Sequence, residues 1–329
     1  MRGTHTRRRR GVVATLIVAI LVTGVAVVTV GVLRMRGDGD GDATAGSVAP
    51  ADLGRRPWQV TLDVDQTAGY VVTAGVTDGA RQTLTVQNLA LGDNPDGRYG
   101  GEVTAFPPGT LDERQFSTAE QINDTWYLAT FTFAGHATGD TQPWRGPAVG
   151  RRDPSGTWIV AYADTDRADG KIARSDLFRL AAASRLAPAR DLRLPLRLGP
   201  GLPKGLQLTY VRSPDHRIDQ RQAAVGFSTA ARKPSGAAVY TALPPDLDVA
   251  VLTSARNAAW KQTRGTLTGE TRVAGLPAWY EPGKRLTVEA ERCIVTVESA
   301  LPRAELDRLV ENLTIGDCAD PNSWIPPLS

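Results

Sequence analysis

Hydrophobic positions along this chain follow three patterns, and each predicts a different element. Residues 11–33, "GVVATLIVAILVTGVAVVTVGVL", are 23 positions without a charge. At about 1.5 Å per helical residue this run crosses a hydrocarbon core of roughly 30 Å. Further on come short apolar runs of strand length, "TWIVAYA" at 157–163 and "CIVTVES" at 293–299. Each is followed by a helical pattern, at 175–186 and 303–313. In the second helix Leu306, Leu309, Val310 and Leu313 keep the spacing that lays one apolar stripe against a sheet, whereas the first offers only Leu177, Leu180 and Ala181. Strands ahead of a C-terminal helix, parted by the turns "SPD", "KPSG" and "EPGK", predict an α+β fold with a mainly antiparallel sheet. The strand–helix alternation of a parallel sheet is absent.

The pattern also repeats. Residues 81–112 can be laid over 221–248: Arg-Gln opens both, and Thr-Ala-(Phe/Leu)-Pro-Pro closes both. Trp126-Tyr127 then matches Trp279-Tyr280, and the strand and helix patterns follow in the same order. Offsets between matched points drift from 129 to 153 residues, so chance similarity in an alanine-rich chain is the competing reading. The expected organisation is a cytoplasmic tail (1–10), a transmembrane anchor (11–33), a flexible linker (34–55), and one α+β module over 56–187. A Pro/Arg-rich extended connector (188–203), a second module (204–319) and a tail (320–329) complete it.

Charge changes this picture chiefly by fixing its orientation. Five arginines (Arg2 and Arg7 to Arg10) precede the apolar run and two (Arg34, Arg36) follow it. The bias keeps the N-terminus in the cytoplasm and sends the rest outside. A cleaved signal peptide is disfavoured by the length of the run. The formal charge of +3 is misleading, because residues 1–36 hold seven arginines and no acid. Residues 37–329 hold 31 basic and 35 acidic residues, a net −4. That removes the electrostatic case for nucleic acid. "RMRGDGDGDATAG" at 34–46 fails the calcium-loop pattern, with Ala43 and Ala49 where Gly and Glu are needed, and reads as a stalk.

Cys293 and Cys318 both fall on the exported side, where a disulfide is permitted. A strand running out from Cys293 and a helix running back after Pro302 can return Cys318 to its partner. There is no C-x-x-C and no third ligand nearby to favour a metal or redox role. His5, His136 and His216 lack a catalytic or zinc constellation, and the Asp164, Asp166, Asp169 cluster misses the EF-hand pattern at three positions, so a polar turn capped by Ser175 is preferred. No catalytic, cofactor or metal residue is assigned. Trp126, Tyr127, Trp279 and Tyr280 are the candidate ligand-contacting aromatics, with core packing as the commoner use of such residues.

Val273, Gly275, Ala278, the apolar run Ile294 to Val297, and Glu305, Leu306 and Leu309 together resemble an uncharacterised extracytoplasmic domain also found in some anti-sigma factors. More loosely, the chain resembles actinobacterial single-pass anchored proteins with a two-module ectodomain. These motifs concern packing and imply no catalytic residue. The expectation is an anchored, non-catalytic protein, contacting the bilayer through 11–33 and binding a protein or envelope ligand. The alternatives are an envelope hydrolase with dispersed carboxylates and a carrier of an apolar ligand.

Overall fold

The computed structural model describes residues 56–78, 81–91, 98–111, 120–123, 125–133, 144–163, 172–200, 202–214, 223–229, 246–253 and 258–328. The expected tail, anchor and linker, His136, His216 and the Asp164, Asp166, Asp169 cluster lie outside them.

The first half of the described chain contributes β1 (Gln59–Val64), β2 (Tyr70–Thr77), β3 (Gln82–Asn88), β4 (Tyr99–Phe106), β5 (Glu120–Gln121), β6 (Trp126–Phe133), β7 (Trp144–Arg152), β8 (Trp158–Tyr162), α1 (Arg174–Ala183) and β9 (Ser184–Asp191). The second contributes β10 (Leu196–Leu198), β11 (Gln207–Pro214), β12 (Ala223–Ser228), β13 (Leu247–Thr253), α2 (Ala258–Thr266), β14 (Thr271–Val273), β15 (Leu276–Glu281), β16 (Arg285–Ala290), β17 (Cys293–Ser299), α3 (Arg303–Glu311) and β18 (Leu313–Ile315). The fold is α+β and rich in antiparallel sheet, as the patterning predicts.

Among the described residues fourteen strands form one sheet, in the order β14-β15-β16-β17-β13-β12-β11-β2-β3-β4-β8-β7-β6-β5. Read outward from its middle, the sheet gives the same connectivity twice. The run β2-β3-β4-β8-β7-β6-β5 is matched by β11-β12-β13-β17-β16-β15-β14. Each run is followed by a helix (α1 or α3) and a strand (β9 or β18) that pairs antiparallel with the strand preceding the run (β1 or β10). The runs meet where β2 and β11 pair antiparallel, from Thr77↔Val211 to Ala74↔Pro214.

Alternation along the strands gives the sheet two chemically distinct faces. On the face covered by the two-stranded ribbons, here the ribbon face, Leu84, Val103 and Ile159 pack with Leu177 and Leu180 of α1 and Leu62 of β1. Val225, Val249 and Val295 pack there with Leu306, Leu309 and Val310 of α3. On the far face Tyr127, Trp158, Val160 and Tyr162 form a smaller cluster, and Trp260 of α2 packs on Trp279 and Ile294.

Within the stretch expected to be a connector, residues 192–198 run as a leucine strip that belongs to the core. Leu192, Leu194, Leu196 and Leu198 alternate in "DLRLPLRL" and are each at most 4 % exposed. Burying a leucine is worth about 1.5–3 kcal/mol, so this short segment stabilises the core of the second half, which Val60 of β1 also joins. The C-terminal residues extend the same layer: Leu194 and Ile325 exchange backbone hydrogen bonds of 2.8 and 3.0 Å, and Leu198 N donates to Pro327 O.

The helices end earlier than their periodicity predicts. α1 stops at Ala183, where the Ser184 hydroxyl turns back to the Leu180 carbonyl at 2.7 Å, and Pro188 cannot continue a helix. Its start is capped by Asp176, whose carboxylate accepts from Ala173 N at 2.9 Å, and not by Ser175. In α3 the Asn312 side chain donates to the Arg308 carbonyl, and Leu313 leaves the stripe to open β18. The strand-out, helix-back path brings Cys293 and Cys318 into a disulfide, with Cα atoms 5.6 Å apart.

Candidate functional site

The four candidate aromatics do not converge. Period-two alternation sends Trp126 to the ribbon face, where its ring lies 6.0 Å from Phe178 of α1, and Tyr127 to the far face, 5.5 Å from Trp158. In β15 the order is reversed. Trp279 points to the far face, 5.8 Å from Trp260 and near-perpendicular to it, and is 5 % exposed. Tyr280 lies on the ribbon face under the Arg303 guanidinium at 5.4 Å. Arg264 stacks over Trp279 at 5.5 Å and bridges to Glu289 at 2.9 Å, and Glu289 also accepts from Trp260 Nε1 at 3.0 Å. All four rings are thus used in internal contacts.

Register shows which positions of the two runs correspond. β2 has a bulge at Thr73 and β11 one at Thr209. Each bulge threonine donates its hydroxyl to a carbonyl of the next strand, Thr85 at 3.2 Å and Gly226 at 2.9 Å. Following the ladders outward from these bulges, Thr85 pairs with Glu102 as Gly226 pairs with Asp248. Glu102 then pairs with Tyr162 as Asp248 pairs with Glu298. Beyond them Tyr127 corresponds to Trp279 and Leu128 to Tyr280. The match of Trp126-Tyr127 to Trp279-Tyr280 read from the sequence is therefore one residue out of step.

These correspondences identify a pair of residues that the motif search passes over. Glu102 and Asp248 are acids in otherwise apolar or β-branched strands, at equivalent far-face positions five strand steps apart, about 24 Å. Glu102 is 4 % exposed and accepts from the Tyr162 hydroxyl at 3.0 Å. Tyr162 is also 3.2 Å from the Thr104 hydroxyl, which is 2.9 Å from that of Thr83. Burial first, and Glu102 second, push the Tyr162 phenol well above its ordinary range.

Asp248 is framed differently. Its tyrosine comes from the opposite side, from Tyr210 of β11 across Gly226, which supplies no side chain to the row. Burial raises the Asp248 carboxyl above the usual aspartate range, the facing Glu298 adds to this, and Tyr210 and Arg212 oppose it. Burial likewise pushes the Tyr210 phenol up. Among the described residues Asp248 Oδ1 is buried without a hydrogen-bond partner, and so is the hydroxyl of Ser228, two residues from Gly226 on the same face. Unsatisfied buried oxygens are uncommon in folded chains.

Chemically, the Asp248 row offers hydrogen-bond acceptors and negative charge in a setting of reduced solvation. Among the described residues no group of three or more His, Cys, Asp or Glu is placed to hold a metal ion. The signal that could have found Glu102 and Asp248 is a lone acid inside an apolar strand, in "YGGEVTAF" and "LDVAVLT". No protein-family model matches this chain, and no curated protein matches it.

Proposed function

We propose that the chain is a single-pass, N-in anchored protein whose extracytoplasmic part is a tandem duplication of one α+β module, and that it binds a protein or envelope component without catalysis. The uncharged run at 11–33 with its arginine-rich flank supports the anchor. The recurrence of connectivity, ribbons and bulge threonines supports the duplication.

The observation that carries the binding reading is the joining of the two halves within the sheet and on its ribbon face. The β2–β11 ladder joins them edge to edge, and on the ribbon face Leu192 of the connector lies over Gly75 of β2 while the strip packs with Val60 and the core of the second half. A platform so constrained favours presenting a fixed surface, with equivalent positions held about 24 Å apart, over opening and closing around a substrate.

Photo-crosslinking of the full chain in native membranes, from a probe at exposed Arg212, is expected to trap a discrete envelope partner. Turnover of envelope glycans, esters or peptides by the purified full chain would overturn the reading.

A further inference from the structure

Asp248 and Glu298 stand directly opposite each other on neighbouring strands of the second run, so their side chains share the far face of the sheet. Opposed Cβ atoms lie about 4.5–5.5 Å apart, and like charges at that spacing repel. At the equivalent place in the first run the strand facing Glu102 carries Tyr162, whose hydroxyl donates to the carboxylate. In the second run the tyrosine comes from the other side: Tyr210 reaches across Gly226 to hydrogen-bond Asp248. Asp248 Oδ1 stays buried without a partner among the described residues. Arginines frame the two acids without cancelling their repulsion. Arg285 of β16 is bonded to Glu281 at 2.9 Å and stays 3.9 Å from Glu298, and Arg212 of β11 acts on Asp248 only through space. From β12 the row is met by Gly226, which brings no charge.

We propose that Asp248 is a proton switch: it takes up a proton in mildly acidic solution, and its neutral form fastens β13 to β17, whereas its ionised form, opposed to Glu298, loosens them. The proton goes to Asp248 because that acid is the more enclosed. Its Oδ1 is shut off from solvent, whereas the Glu298 side chain is 59 % exposed and solvated. The exposed neighbour also gives protons a route in from bulk water. The switch runs opposite to an ion-paired surface carboxylate, which loses its stabilising effect as pH falls. An acid held neutral by burial and by a facing charge stabilises the fold below its unfolded range and ceases to do so as pH rises through its folded value. Tyr210 and Arg212 pull the other way, and burial together with Glu298 outweighs them. The inference needs no partner and stands apart from the binding reading.

Infrared difference spectra of the full chain in detergent, taken across a pH titration, read the proton through the C=O stretch of a protonated carboxyl. A band is expected to form at a pH above the range of ordinary carboxyls, to vanish in Asp248→Asn, and to form only at lower pH in Glu298→Gln, where the opposing charge is gone. Amide hydrogen exchange in β13 and β17, corrected for the intrinsic effect of pH, is expected to slow several-fold as that band forms and to show no such change in Asp248→Asn. The shift in Glu298→Gln is a readout that a merely structural Asp248 would not give, and it keeps the test decisive if Asp248→Asn fails to fold. The inference is overturned if Asp248→Asn removes no band above the ordinary range, if Glu298→Gln leaves the titration where it was, or if exchange in β13 and β17 is indifferent to the proton. Absence of an envelope crosslink with this titration intact would remove the binding reading and leave the switch standing.

Discussion

Asp248 and Glu102 show how much one side chain's neighbours decide. Burial raises the folded Asp248 carboxyl above its reference value of 3.8, so the folded state holds this proton longer than the unfolded one. Its contribution to stability is complete below the unfolded value and is lost as pH rises through the raised folded value. Asp248→Asn is neutral throughout and removes that loss. Thermal melts are expected to show the variant more stable than the native chain at neutral pH, with the difference closing as the pH falls below the unfolded carboxyl's range. A second residue, Gln82, holds a bulge: its amide oxygen accepts from Thr61 N at 2.7 Å, the Thr61 hydroxyl at 3.1 Å and Leu62 N at 3.0 Å, tying β1 to the sheet. Gln82→Ala strands those buried donors and is expected to cost about 2–3 kcal/mol in denaturant unfolding.

At the scale of elements, the sequence is most readable where one periodicity dominates. The stripe of α3 and the strand Cys293–Ser299 are visible as patterns, and together they dictate the disulfide. Replacing both cysteines by alanine is expected to cost about 3 kcal/mol, read as a lower unfolding midpoint. Harder to read is any feature that depends on which residues oppose each other. A slip of one residue flips every side chain to the other face, which is why the Trp-Tyr pairs align in sequence but point oppositely in the sheet. Offsets between register-matched positions run from 136 at Thr73/Thr209 to 146 at Glu102/Asp248 and 152 at Tyr127/Trp279, because the intervening connections differ in length. The leucine strip was legible in principle: Leu192, Leu194, Leu196 and Leu198 alternate strictly, but Pro and Arg between them suggest a linker. Leu194→Ala is expected to destabilise the chain by about 3 kcal/mol, an effect no true linker residue would have.

Across the whole molecule, that strip and the β2–β11 ladder predict that the halves melt together. Fluorescence of tryptophans in the first half (Trp126, Trp158) and the second (Trp260, Trp279), isolated by phenylalanine substitution of the others, is expected to report one shared denaturant midpoint. Leu194→Ala is expected to shift both reports equally. Two separate midpoints would show the halves to be independent.

The central ladder has one more implication. Two edge strands that pair antiparallel between topologically equivalent runs meet in the geometry of a self-complementary contact, the kind that two copies of a single unit would make with each other. Within one polypeptide that contact no longer depends on concentration, because the partner is always present. Nor must both sides stay identical, as they would in a homodimer where each substitution appears twice. A glycine could replace a threonine on one side alone, and a single tethered chain could thereby acquire an asymmetry forbidden to its symmetric counterpart.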